Sequence, residues 1–284
     1  MIPRVSLYHV SPEQGRLRTM VGEDFDVAEY SRFKYGDAEV ADCYAAELTE
    51  MLEESGHLAR SGTPPPVITT APFKFLATAS FELAKQIQRR LNVRLSASDG
   101  DRVELVPLHM RYVDASNYSA RSHDDRNRIQ REAGLHVAEG DIRGRQVLLV
   151  DDAVVSGAAE ARAVKVLTDA GGASVIGAYV VEVDQDSGRR QPQIEDELNQ
   201  AFVHDLDSLL EIFCHQRVVL NIRTVKYVLS WPDHEEVQTF FDKIEDAHLS
   251  AFGEAVSETG DAFARNYPDT VSLLLSTLQR RSLL

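Results

Sequence analysis

The chain has 284 residues, 43% hydrophobic and 26% charged, a globular composition with enough length for one large domain or two smaller ones. Its formal net charge of −15 argues against a general nucleic-acid binder or a binder of anionic membranes, yet leaves room for an anionic small molecule held by local basic residues. The opening MIPRVSLYHV carries no signal-peptide core and no apolar run is long enough to span a bilayer, so the cytoplasm is the expected compartment.

Residues 1–22 are mixed, with a short β-like VSLYHV and no clear chemistry. YSRFKYGD at 30–37 is aromatic, basic and turn-forming, and reads as a surface loop with aromatic anchors. Val40, Tyr44, Ala45, Leu48 and Leu52 recur at helical spacing, which predicts an amphipathic helix over 38–58. SGTPPP at 61–66 is a stiff loop, VITT at 67–70 a core strand, 71–75 a turn and 77–91 a helix. VELVPLHM at 103–110 reads as another strand. The segment 111–138 is polar and arginine-rich, and such a length between core strands is uncommon unless functional. Its plain alternative is a solvated helix from about 122 to 133, with His123 on the surface. Cys43 and Cys214 stand far apart in helix-like stretches and read as buried thiols, without support for a disulfide framework or a metal site.

The centre of the sequence is QVLLVDDAVVSGAAEARAVKVLTDAGG at 146–172. Val147 to Val150 form the unbroken apolar run of a strand buried on both faces. Asp151 and Asp152 follow, then the small-residue turn Val155, Ser156, Gly157, Ala158 and Ala159. A helix comes next and ends at Gly171 and Gly172, and SVIGAYVVEV at 174–183 returns as a parallel strand. A helix opening at such a turn offers free N–H groups and the positive end of its dipole to a phosphate. Two adjacent carboxylates suit vicinal sugar hydroxyls, or a Mg²⁺ ion carried by the ligand. Together they point to a sugar phosphate or nucleotide.

VLLVDDAVVSGAA, preceded by Arg143, Gly144 and Arg145, resembles the phosphoribosyl pyrophosphate (PRPP) signature of type I phosphoribosyltransferases. The resemblance covers about residues 60–184. It implies that Asp151 and Asp152 hold the ribose hydroxyls and that Val155 to Ala159 hold the 5′-phosphate. It implies a pyrophosphate loop at Thr70, Ala71, Pro72, Phe73 and Lys74, although family loops are richer in glycine. It makes 111–138 the flexible catalytic loop, with Arg111, Tyr118, Arg121 and Arg126 singled out, and gives Arg32, Lys34 and Tyr35 to a hood. Asp151, Asp152, Arg121 and Arg126 are then the catalytic candidates, and Mg²⁺ arrives with PRPP near the acidic pair. Two departures stand out. Val155 and Ala159 replace hydroxyls common in the family, and a valine at 155 argues against a hypoxanthine-type enzyme. VLLVDD is also similar to the first strand of receiver domains, but here it follows a long α/β region. An ordinary buried strand with solvated carboxylates is the plain alternative.

After 184, DQDSGRR marks a composition shift, and 192–284 reads as helical throughout. Leu198, Phe202, Leu206, Leu209, Leu210 and Phe213 form one stripe without a chemical constellation, which leaves core packing, a cap over the sheet or a homodimer surface. The expected fold is α/β: a parallel sheet flanked by helices, with a hood at about 1–60, a core at about 61–184 and a helical region at 185–284. The expected function is transfer of a 5-phosphoribosyl group from PRPP to a nitrogenous base, with release of pyrophosphate. A non-catalytic PRPP-binding regulator on the same fold and a receiver-like interaction domain are the alternatives. The hood and helical tail look like divergent members of bacterial stress-response gene sets.

Overall fold

A computed structural model of the chain describes residues 2–13, 16–58, 64–73, 75–96, 102–110, 134–137, 142–191, 193–215 and 217–284. The main sheet has six strands in the order β2-β1-β8-β7-β3-β4. They are β1 Arg4–Glu13, β2 Arg16–Thr19, β3 Val67–Thr70, β4 Glu104–Leu105, β7 Gln146–Val154 and β8 Ser174–Val183. All neighbours are parallel except the edge pair of β1 and β2. The expected strand at 103–110 is divided. Pro107 offers no N–H to a ladder, and beyond it β5 Leu108–Met110 pairs with β6 Leu135–Val137 in a separate antiparallel sheet.

β7 is central because its apolar residues serve two cores. Leu148 and Val150 pack on the face carrying α2 Ala38–Glu54 and α3 Ala79–Ser96. Val147 and Leu149 face α4 Ala158–Asp169 through Ala163 and Leu167. A strand buried on both faces needs apolar side chains at consecutive positions, and VLLV supplies them. The segment 4–13, left without a role by its sequence, pairs with β8 from Arg4 opposite Gly177 to Val10 opposite Val183. The sheet therefore draws a strand from within the expected hood.

YSRFKYGD is not a surface loop. Its first five residues close α1 Val27–Lys34, where Tyr30, Ser31, Phe33 and Lys34 are buried. Asp37 caps α2 by accepting from the Glu39 and Val40 amides. The carboxyl-terminal helices follow: α5 Gln185–Arg190, α6 Ile194–Gln200, α7 Leu206–His215, α8 Ile222–Leu229, α9 His234–Lys243, α10 Asp246–Thr259, α11 Asp261–Asn266 and α12 Pro268–Arg280. The stripe read as continuous from Leu198 is split. Ile194 and Leu198 belong to the core of Leu148 and Val150, whereas Leu206, Leu209 and Phe213 belong to a third core with Phe240, Phe241 and Phe252. Both cysteines are exposed rather than buried, because Cys43 lies on the face of α2 opposite Tyr44 and Leu48, and Cys214 follows the buried Phe213. Among the described residues no helix is long and apolar enough to cross a membrane.

Candidate active site

A cleft of about 730 Å³ opens at the carboxyl ends of β3 and β7, where ligands of open α/β sheets bind. Asp151 and Asp152 are themselves strand residues, since β7 runs on to Val154. Successive strand positions face opposite sides, yet both carboxylates reach the cleft because it wraps the strand's end. The Lys34 ammonium donates to Asp152 Oδ2 in a buried ion pair that joins α1 to β7. Burial, then the neighbouring charge of Asp152, pushes the Asp151 carboxyl up to about 7 against the pull of Lys34. Asp151 therefore titrates near neutrality.

Gly157 is the N-cap of α4 and adopts φ 75°, a left-handed conformation that favours glycine, and no side chain caps the helix there. Val155, Ser156, Gly157 and Ala159 of the turn line the cleft, and the Ser156 hydroxyl accepts from the Ala158 amide at 3.5 Å. Beneath them lies a buried polar network. Arg4 Nε and Nη2 donate to Glu160 at 2.8 and 2.6 Å, Arg4 Nη1 to Glu182 at 2.7 Å, and the Tyr179 hydroxyl to Glu160 at 2.7 Å. Burial alone would raise the Glu160 carboxyl, but hydrogen bonds from Arg4 and Tyr179 hold it below its ordinary range. The bidentate guanidinium cancels the charge that Glu160 would otherwise present to an anion on the turn. From above, α5 presses on the turn: a Cβ at Gly188 would lie 2.2 Å from the Val155 carbonyl oxygen.

The cleft brings together Ala71, Asp151, Asp152, Val155, Ser156, Gly157 and Ala159 with Lys34 and Tyr35, whereas Ala158 is not part of its lining. Arg32 lies elsewhere, pairing with Asp37 at 2.6 Å. Of the expected pyrophosphate loop, Thr70 is fully buried, and Phe73 packs its ring against Phe81 at 5.1 Å and His109 at 5.4 Å. Among the described loop residues only Ala71 lines the cleft, since neither Pro72 nor Phe73 does, and Thr78, Ala79 and Ser80 line it where α3 begins. Lys74, Arg111, Tyr118, Arg121 and Arg126 lie outside the described residues.

The wall that sequence reading missed is α8. Asn221 caps it, accepting from the Arg223 and Thr224 amides, and donates its own Nδ2 to the Lys34 carbonyl at 3.1 Å. Thr224, Val225, Val228 and Leu229 are buried, so Arg223, Lys226, Tyr227 and Ser230 form the face lining the cleft. Their i, i+3, i+4, i+7 spacing was a readable signal; nothing local tied it to residues 70 to 190 positions earlier.

The family model described as "PRTase ComF-like" matches residues 2–258. Among curated proteins none matches the sequence. Similar solved structures include the hypoxanthine phosphoribosyltransferase of Trypanosoma cruzi, 15% identical over 52% of this chain and 69% of that one, TM-score 0.32. Another is a hypoxanthine-guanine phosphoribosyltransferase from Bacillus anthracis, 13% identical over 52% and 68%, TM-score 0.30. A third is TT1426 from Thermus thermophilus, 23% identical over 56% and 81%, TM-score 0.32.

Proposed function

The chain belongs to the ComF-like phosphoribosyltransferase family, and from that premise we propose that it transfers a 5-phosphoribosyl group from PRPP to a nitrogenous base. The observation that carries this reading is the order of groups along one cleft: the Asp151–Asp152 pair at the end of β7, then the Gly157 turn opening α4. The turn's amides hold the 5′-phosphate. The two carboxylates accept hydrogen bonds from the ribose hydroxyls, each charge-assisted bond contributing about 1.5–3 kcal/mol. Pyrophosphate leaves with the electron pair of its bond to the anomeric carbon, where positive charge builds. The base nitrogen then forms the new bond and loses its proton. The carboxylates lie where they can offset that positive charge.

Among the described residues no group of three or more His, Cys, Asp or Glu side chains could hold a metal ion. Asp151 and Asp152 are oxygen donors suited to a Mg²⁺ that arrives with the donor, and such an ion would neutralise the leaving group. Arg121 and Arg126, outside the described residues, are proposed to do the same from the catalytic loop.

Calorimetry with PRPP and Mg²⁺ tests the reading. Binding should occur, and Asp151→Asn with Asp152→Asn should weaken it at least about tenfold, or 1.4 kcal/mol, without unfolding the chain. No heat and no thermal stabilisation at millimolar PRPP would sink it. A second reading, a non-catalytic PRPP-binding protein, is favoured by the single hydroxyl of Ser156 in the turn and by Lys34 already engaging Asp152. Binding without pyrophosphate release for any base decides in its favour.

A further inference from the structure

The α8 face is cationic and aromatic at once. Arg223 and Lys226 are one turn apart and both line the cleft. Neither takes part in an ion pair among those between described residues, although Glu195 on α6 shares the cleft with them. The surrounding walls, and then the like charge of Arg223, lower the pKa of Lys226. Lys226 is solvent-exposed and Arg223 half-buried, so water screens the repulsion between them and both cations stand open to a ligand anion. Next to them Tyr35 and Tyr227 meet edge to face, ring centroids 5.1 Å apart, and the charge of Arg223 acts on the Tyr35 hydroxyl, lowering its pKa against the larger upward push of burial. The Tyr35 backbone carbonyl is fixed in turn by the Thr224 hydroxyl at 2.9 Å.

We infer that this wall is the acceptor subsite, and that the acceptor is a planar ring carrying an acid group, its ring against Tyr227, which the buried Tyr35 backs, and its anion on Arg223 and Lys226. The inference rests on the phosphoribosyl-transfer reading, which gives the opposite wall to the donor's phosphate and ribose. One other source of the same anion chemistry exists. The Ile222 amide donates to the Ala77 carbonyl at 2.9 Å, so α8 starts close to the side expected for pyrophosphate. Pyrophosphate has no ring to set against Tyr227, and the aromatic side chain therefore favours the acceptor.

The test compares matched probes that differ in charge, orotate with uracil and nicotinate with nicotinamide, by calorimetry on the full chain with and without PRPP and Mg²⁺. The acid of at least one pair should bind at least about tenfold tighter than its neutral partner. Arg223→Gln with Lys226→Gln should abolish that ratio and change PRPP affinity by no more than about twofold, with melting temperature confirming the fold. No acid preference in either pair overturns the inference. So does a double variant that loses PRPP or inorganic pyrophosphate binding while keeping the acid preference. Failure of PRPP itself to bind the unaltered chain overturns the transfer reading instead, and the arms without PRPP then still read the anion preference by itself.

Discussion

At Asp151 the folded chain holds its proton more tightly than the unfolded chain does, because burial and Asp152 both disfavour a second charge. Its contribution to stability is therefore complete below about pH 4 and is lost as pH rises through about 7. On the proposed reading ligand binding runs the opposite way, since ribose hydroxyls would donate to the ionised form. PRPP affinity at fixed Mg²⁺ should thus rise about tenfold between pH 6 and pH 8 beyond the donor's own titration. The Asp151→Asn chain gives the baseline and should lack this increment; equal profiles in the two chains would remove Asp151 from the ribose site. Lys34 pulls the same carboxyl down, so Lys34→Met should move the midpoint of the rise to higher pH. Under the phosphate turn, Arg4 offsets two carboxylates, and its side chain is 8% exposed. Arg4→Met leaves Glu160 and Glu182 without that partner. A loss of about 3 kcal/mol in urea unfolding is expected, and a loss below about 0.5 kcal/mol would mean solvent already screens the network.

At the scale of elements, β7, its turn and α4 were legible because the whole motif is local: an apolar run, two carboxylates, a glycine and a helical period within 27 residues. α1 was not. It spans eight residues, and Gly36 and Asp37 behind it are true turn signals that colour the whole segment as a loop. What buries α1 is remote: Ser31 donates to the Asn199 carbonyl at 2.8 Å, and Asn221 and Thr224 hold the carbonyls of Lys34 and Tyr35. For β1 the β-like VSLYHV was legible but its place in the sheet was not, since β8, its parallel partner, lies some 170 positions away. At the composition shift of DQDSGRR, where the sequence suggests a boundary, the segment forms a short helix against the turn of Val155 to Ala159. Gly188→Ala should therefore push the Val155 carbonyl away and weaken PRPP binding at least about tenfold. Its cost to stability is that of an overpacked contact, about 1–3 kcal/mol. Calorimetry beside thermal melting separates the two effects; unchanged affinity would mean that the turn does not need its brace. Asn221→Ala removes a helix cap, and about 1 kcal/mol of stability should go with it in urea unfolding.

At the scale of the molecule there are three cores among the described residues, one on each face of the sheet and one among the carboxyl-terminal helices, and Tyr35 already belongs to the last. The segment 31–38 joins them through backbone pairing as well, with the Ala38 amide on the Arg217 carbonyl at 2.8 Å and the Val219 amide on the Gly36 carbonyl at 2.9 Å. Lys34 and Asn221 thus put the acidic pair of β7 and the cationic face of α8 on one short chain of contacts. A ligand bound at Asp151 and Asp152 has to rearrange or accommodate Lys34, and any movement of Lys34 is felt at the cap of α8. At a PRPP concentration of 100 times its dissociation constant, binding stabilises whatever unfolds together with the site by about 2.7 kcal/mol. Amide hydrogen exchange reads which elements those are. Protection should increase at 146–160, as for any protein that binds phosphate on this turn, and also at 27–38 and 222–229. Protection confined to 146–160 would show that the helical region is a separate unit packed beside the site, and α8 would then have no share in binding.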